Sequence, residues 1–139
     1  MKKIIPITII LLLFTYSNCF AQLGLGGSIG RRDHVPQPRL IEPITDKVDL
    51  TGKDMLEFKW SPHEAKGMPG KYYDLRLYKG YEMVEGTLIF KKRLSGREYK
   101  VEVESDVFEN GQVYTWSLRL GYRGGDKSVR STQSFKIIK

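Results

Sequence analysis

Ten residues, Gln112 to Gly121, constrain this chain more than any others. Tyr114, Trp116, Leu118 and Leu120 fall on one face, and Thr115, Ser117 and Arg119 on the other. A period of two over this length is the pattern of a half-buried β-strand. Asn110-Gly111, a dipeptide that accepts positive φ, precedes the segment and marks a turn into it. A strand that carries an indole and a phenol on one face needs other strands to cover that face.

Those strands can be found on both sides of it. Leu40-Ile41, before Pro43, suits a short edge strand that Val48 and Leu50 continue after a kink. Thr51 to Asp54 is a turn. Leu56, Phe58 and Trp60 then alternate with Glu57 and Lys59, and Ser61-Pro62 stops the run. Tyr73, Leu75 and Leu77 alternate with Tyr72, Asp74, Arg76 and Tyr78. Thr87 to Leu94 forms a fourth strand that ends in Lys91-Lys92-Arg93, and Tyr99, Val101 and Val103 form a fifth. A last strand holds Val129, Phe135 and Ile137. No helical period runs for ten residues beyond the N-terminal segment. The expectation is an all-β, seven-stranded antiparallel β-sandwich over residues 38–139, with the alternating apolar residues as its core. Roughly 100 residues is a normal size for one such domain.

Residues 1–21 read as an export signal. Lys2 and Lys3 give a positive start, Ile4 to Phe14 is mostly apolar, and Cys19-Phe20-Ala21 suits cleavage before Gln22. The apolar run is shorter than the roughly 20 residues that span a bilayer. A lipoprotein signal would instead acylate Cys19, although Tyr16, Ser17 and Asn18 match that signal poorly. Membrane attachment is expected only through such a lipid. Cleavage after Ala21 leaves no cysteine, so the core alone must hold the domain. Residues 22–37 form a linker, flexible through its glycines and stiffer at Pro36. Its glycines do not make a dinucleotide fingerprint, because no strand precedes them and no helix follows.

The formal net charge is +7, and losing Lys2 and Lys3 brings it to +5. A mildly basic exported domain favours anionic surfaces such as acidic polysaccharide, and export argues against nucleic acid as a partner.

From about Pro38 to Ile138 the chain resembles a fibronectin type III or closely related immunoglobulin-like domain. Trp60, just before a proline-bearing loop, stands where that family keeps its second-strand tryptophan. Phe108, Asn110-Gly111 and Tyr114 match the family's corner, with Asn110 in place of the usual proline. The resemblance implies that the Tyr114 hydroxyl bonds back to the backbone just upstream. It implies an architecture rather than an activity.

Catalytic chemistry finds little support. His34 and His63 are the only histidines, and neither has a partner at metal-ligand spacing. His63-Glu64 reads as a solvated loop pair. Glu102 and Glu104 are expected to lie across from Lys59 as charge partners rather than as an acid/base pair. Arg123-Gly124-Gly125-Asp126 has one glycine too many for an Arg-Gly-Asp adhesion motif and reads as a hairpin turn. The candidate binding patch is Tyr72, Arg76, Tyr78, Tyr81, Lys91 and Arg93, with Lys79 and Lys92 beside it. Aromatic faces with flanking donors suit sugar rings and protein interfaces. The competing explanation is that cross-strand tyrosines stabilise a sheet and edge lysines block aggregation.

The expectation is a non-enzymatic interaction module without metal or cofactor. It would be periplasmic or extracellular, binding another envelope protein or an anionic surface polymer. The alternative is a carbohydrate-binding module that uses the tyrosine and arginine patch.

Overall fold

A computed structural model describes residues 35–62 and 70–139. The expected signal, Cys19, His34 and the His63-Glu64 pair lie outside the described residues. Eight strands are present among those described: β1 (Arg39–Glu42), β2 (Lys47–Asp49), β3 (Met55–Ser61), β4 (Tyr72–Lys79), β5 (Leu88–Ser95), β6 (Lys100–Glu104), β7 (Val113–Gly121) and β8 (Ser131–Ile138). They make two sheets, one of order β1-β3-β6 and one of order β2-β8-β7-β4-β5.

The expected first strand is two strands in different sheets, which raises the count from seven to eight. β1 runs antiparallel to β3, with Leu40 opposite Trp60 and Glu42 opposite Lys59. Pro43 cannot donate to a ladder, and there the chain leaves β3. It then lies parallel to β8, with Val48 opposite Ile137. Asp46 accepts the Lys136 N–H at 2.8 Å, and Ile138 accepts the Leu50 N–H at 2.8 Å. The crossover is fixed from inside the protein, because the Trp116 indole N–H donates to the Pro43 carbonyl at 3.0 Å. An open groove of about 620 Å³ remains where β1 departs, with Ile41, Pro43, Ile44, Met55 and Leu56 among its walls.

The core lies where the two apolar faces meet. Leu56, Phe58, Trp60, Val101 and Val103 come from the three-stranded sheet, and Tyr73, Leu75, Leu77, Trp116, Leu118, Phe135 and Ile137 from the other. Phe58 and Trp116 meet edge to face with ring centroids 5.1 Å apart, and Trp60 meets Tyr73 at 5.3 Å. Both pairs join one sheet to the other. At the corner before β7, the Tyr114 hydroxyl accepts the Glu109 N–H at 2.8 Å, and Phe108 packs against the Tyr114 ring at 5.0 Å.

Three expectations about the core and strand limits change. Tyr99 precedes β6 and is 52% exposed. It follows a tight turn closed by the Glu98 N–H on the Ser95 carbonyl, and its own carbonyl accepts the Trp60 N–H at 3.0 Å. Its backbone therefore pairs while its ring stays outside. Val129 precedes β8 and is 74% exposed. Ser128 takes the pairing role there, accepting the Leu120 N–H on its hydroxyl at 2.9 Å and donating its own N–H to the Leu120 carbonyl at 2.8 Å. β5 begins at Leu88 rather than Thr87, because Thr87 closes a 3-10 turn, its hydroxyl donating to the Glu82 carbonyl at 2.6 Å.

Trp116→Ala removes an inter-sheet contact and the clamp on the crossover together. It is expected to cost about 3–5 kcal/mol in chemical denaturation. Tyr114→Phe removes only the corner hydrogen bond and should cost about 1 kcal/mol.

Candidate functional site

The outward face of the five-stranded sheet carries a group of charged side chains around Asp74. Strand register sets its rows. Asp74 of β4 lies opposite Arg119 of β7 on one side and Arg93 of β5 on the other. In the next row Arg76 lies between Ser117 and Lys91. In the row before, Tyr72 lies between Gly121 and Ser95. Neighbouring strands are about 4.8 Å apart, so these side chains form a tight grid.

Asp74 is the centre of that grid. It is 5% exposed although it lies on the outer face, because arginines cover it. Arg130, just before β8, donates to Asp74 Oδ2 at 2.5 Å, to the Asp74 carbonyl at 3.3 Å and to Ser117 Oγ at 3.0 Å. Arg76 Nη2 is 3.3 Å from the same Oδ2, and Arg119 Nε is 3.7 Å from it. Three guanidinium groups thus converge on one carboxylate oxygen. Burial pulls the Arg130 pKa down, while Asp74 opposes that shift. The Arg76 pKa is raised, first by its hydrogen bond to the Tyr78 hydroxyl and then, against the effect of burial, by Asp74.

Tyr72 and Arg93 extend the site toward one end of the sheet. The Arg93 guanidinium sits 4.2 Å from the Tyr72 ring centroid, within cation–π range. The ring lies against Gly121, where an added Cβ would stand 2.5 Å from Tyr72 Cζ. Only glycine leaves room for that ring. Beyond them is a hollow of about 370 Å³ lined by Tyr72, Arg93, Tyr122, Arg123 and Lys127. The Tyr122 hydroxyl is buried without a hydrogen-bond partner among the described residues, and burial raises its pKa. The Arg123–Asp126 segment is the expected tight turn, with the Tyr122 N–H on the Asp126 carbonyl at 2.9 Å.

The structure brings together four of the six side chains singled out in the sequence: Tyr72, Arg76, Lys91 and Arg93. Tyr78 is not part of an exposed patch. It is 4% exposed, and its hydroxyl supports Arg76 from within the sheet surface. Tyr81 is 73% exposed but lies elsewhere, in a hollow with Asp46, Val113, Ser134 and Lys136. Val113 and Arg119 are six residues apart on one strand, which puts that hollow about 20 Å from the arginines. The loop carrying Tyr81 turns away from β4 at Gly80, whose φ of +87° favours glycine.

Sequence reasoning missed Asp74, Arg119 and Arg130 as one site. The available signal was an aspartate at a mid-strand position among aromatic and apolar residues, two places before Arg76 on the same face. Arg130 follows a stretch without periodicity, so its direction could not be read. The expected pairing of Glu102 and Glu104 with Lys59 also changes. Glu102 lies opposite Glu57, and Lys59 lies opposite Lys100. Glu57 sits between the two lysines, 2.5 Å from Lys59 Nζ and 3.2 Å from Lys100 Nζ. Their hydrogen bonds, Lys59 first, lower its pKa.

No protein-family model matches this sequence, and comparison with curated proteins finds no significant relative. Among the described residues, no three His, Cys, Asp or Glu side chains are close enough to hold a metal ion.

Asp74→Asn would leave three partly buried guanidinium groups without their shared counter-charge. It is expected to destabilise the domain by about 2–3 kcal/mol, with a smaller loss at high salt. Urea denaturation of the variant at low and high ionic strength measures both effects.

Proposed function

We propose that this protein is a non-catalytic binding module of the cell envelope or extracellular space. Its working surface is the outer face of the five-stranded sheet, and its ligand is an acidic surface polysaccharide. The architecture is read as fibronectin type III-like. Support comes from β1-β3-β6 facing β8-β7-β4-β5, from the tyrosine corner at Tyr114, and from Trp60 at the end of the second core strand. On that reading β2 is the part of the first strand that has moved to the opposite sheet.

The observation that carries the binding proposal is the excess of positive charge on one face. Arg76, Lys91, Arg93, Arg119 and Arg130 are grouped by strand register around a single carboxylate, Asp74. A surface evolved only for solubility mixes both signs. A concentrated field of one sign attracts polyanions and raises their local concentration. The hollow beyond Tyr72 adds what a sugar requires: two tyrosines with three cations, Arg93, Arg123 and Lys127, at its edge. The polymer would run from this hollow across Arg93 toward Lys91.

The exported location rests on Met1 to Ala21, and the alternative of an envelope protein as the partner would use the same face. The two are separated by a direct measurement. The protein without residues 1–21 is applied to an acidic polysaccharide matrix and to a neutral one of equal porosity. Retention on the acidic matrix should fall as salt rises, because the Debye length shrinks from about 10 Å at 0.1 M to about 3 Å at 1 M. The double substitution Lys91→Ala and Arg93→Ala should weaken retention by about tenfold while leaving the fold intact, since both side chains are exposed. Equal retention on both matrices, or no change in the double variant, overturns the proposal.

A further inference from the structure

The arginine cluster carries more positive charge than its one carboxylate balances. Arg76, Arg119 and Arg130 all lie within 4 Å of Asp74 Oδ2, so three positive charges share one negative charge. Their side chains are only 25%, 26% and 19% exposed, so water screens them incompletely. Arg130 is satisfied, with bonds to the Asp74 carboxylate, the Asp74 carbonyl and Ser117. The other two are held less completely: Arg76 pairs with Asp74 and bonds to Tyr78, and Arg119 only pairs with Asp74. Arg76 Nε and Arg119 Nε are buried without a hydrogen-bond partner among the described residues. A guanidinium carries five donors in a planar fork that matches an oxyanion two bonds at a time. Those two nitrogens are closed to solvent, so a ligand would meet the partly exposed outer parts of the side chains, and like charges held this close are stabilised by a further negative charge there.

We propose that Arg76 and Arg119 form a binding site for a single oxyanion group of the ligand, with Arg130 and Asp74 as the fixed frame that positions them. The proposal rests on the surface identified above and names the chemistry at its centre. Asp74 holds the three guanidinium groups at the sheet surface and supplies only part of the charge they need. Tyr78 holds Arg76 by a hydrogen bond, and Ser117 does the same for Arg130. The ligand group is a carboxylate, sulfate or phosphate carried on the polymer. Arg93, Lys91 and the hollow beyond Tyr72 would engage its neighbours along the chain.

The test uses the protein without residues 1–21 and three small probes at constant ionic strength: glucuronate, inorganic sulfate and inorganic phosphate. Nitrogen-detected NMR follows the Nε–H resonances of the arginines. A saturable shift confined to Arg76 and Arg119 is expected for at least one probe, and the probe that saturates lowest identifies the group. Arg119→Gln should weaken that binding about tenfold or more, while Arg97→Gln, at an exposed turn, should not change it. Shifts that rise linearly without saturating, or that spread equally over all arginines, mean an adventitious ion only and overturn the site. If Arg119→Gln does not fold, Arg76→Gln serves in its place, and the wild-type titration already decides whether saturation occurs. Saturable binding with no retention on acidic polysaccharide would keep the oxyanion site and reject the polymer. Retention that depends on Lys91 and Arg93, with no saturable shift, would do the reverse.

Discussion

The contact between Trp116 and the chain that crosses above it governs the rest of the architecture. Trp116 sits in the centre of β7, fully buried, with its ring against Phe58 of the opposite sheet. Its indole N–H would be costly to bury without an acceptor. The acceptor is the Pro43 carbonyl, at the point where the first strand leaves one sheet for the other. One side chain thus joins the two sheets through its ring and sets the strand crossover through its nitrogen. Trp60 offers a contrast. Its ring is equally buried against Tyr73, but its indole nitrogen has no partner among the described residues. The two tryptophans look alike in the sequence, and they do different things in the fold.

A rigid sheet makes a rigid surface. β7 lies between β4 and β8, so Thr115 and Ser117 on its outward face have a strand neighbour on both sides. That arrangement buries Thr115 and Ser117 on a face that would otherwise be open. Thr115 uses its hydroxyl on Gly80 and Ser134, and Ser117 accepts from Arg130. The arginine cluster stands on this paved floor. Holding long side chains in one geometry costs conformational entropy, which Asp74 offsets by bonding and pairing with them. A ligand that meets arginines already in place loses less on binding than one that must order them.

Much of the fold was legible from short-range pattern. The alternation in Leu56 to Trp60, Tyr73 to Leu77 and Tyr114 to Leu120 identified both the strands and their buried faces, because a pleat places alternate residues on opposite sides whatever the partner. The corner was legible for a similar reason, since Asn110-Gly111 and Tyr114 lie within five residues of each other. Tyr99 and Val129 failed the same reasoning. Each continues a period by one step beyond the strand, where a turn decides the side-chain direction. Tyr78 failed differently. It points outward as its position requires, yet neighbouring side chains bury it, and period alone carries no information on that.

The amino-acid order by itself determined that this chain makes strands, which faces of them are apolar, and that two layers must meet. Those properties follow from the two-residue repeat of an extended backbone. The tertiary structure alone decided which strands became neighbours, where β1 gave way to β2, and which charges met. Asp74 and Arg130 are 56 positions apart and touch only because β4, β7 and β8 lie side by side in one register. A shift of one residue in any of those ladders would turn the arginines into the core. The charged face is therefore a product of strand pairing, and no local run of residues specifies it.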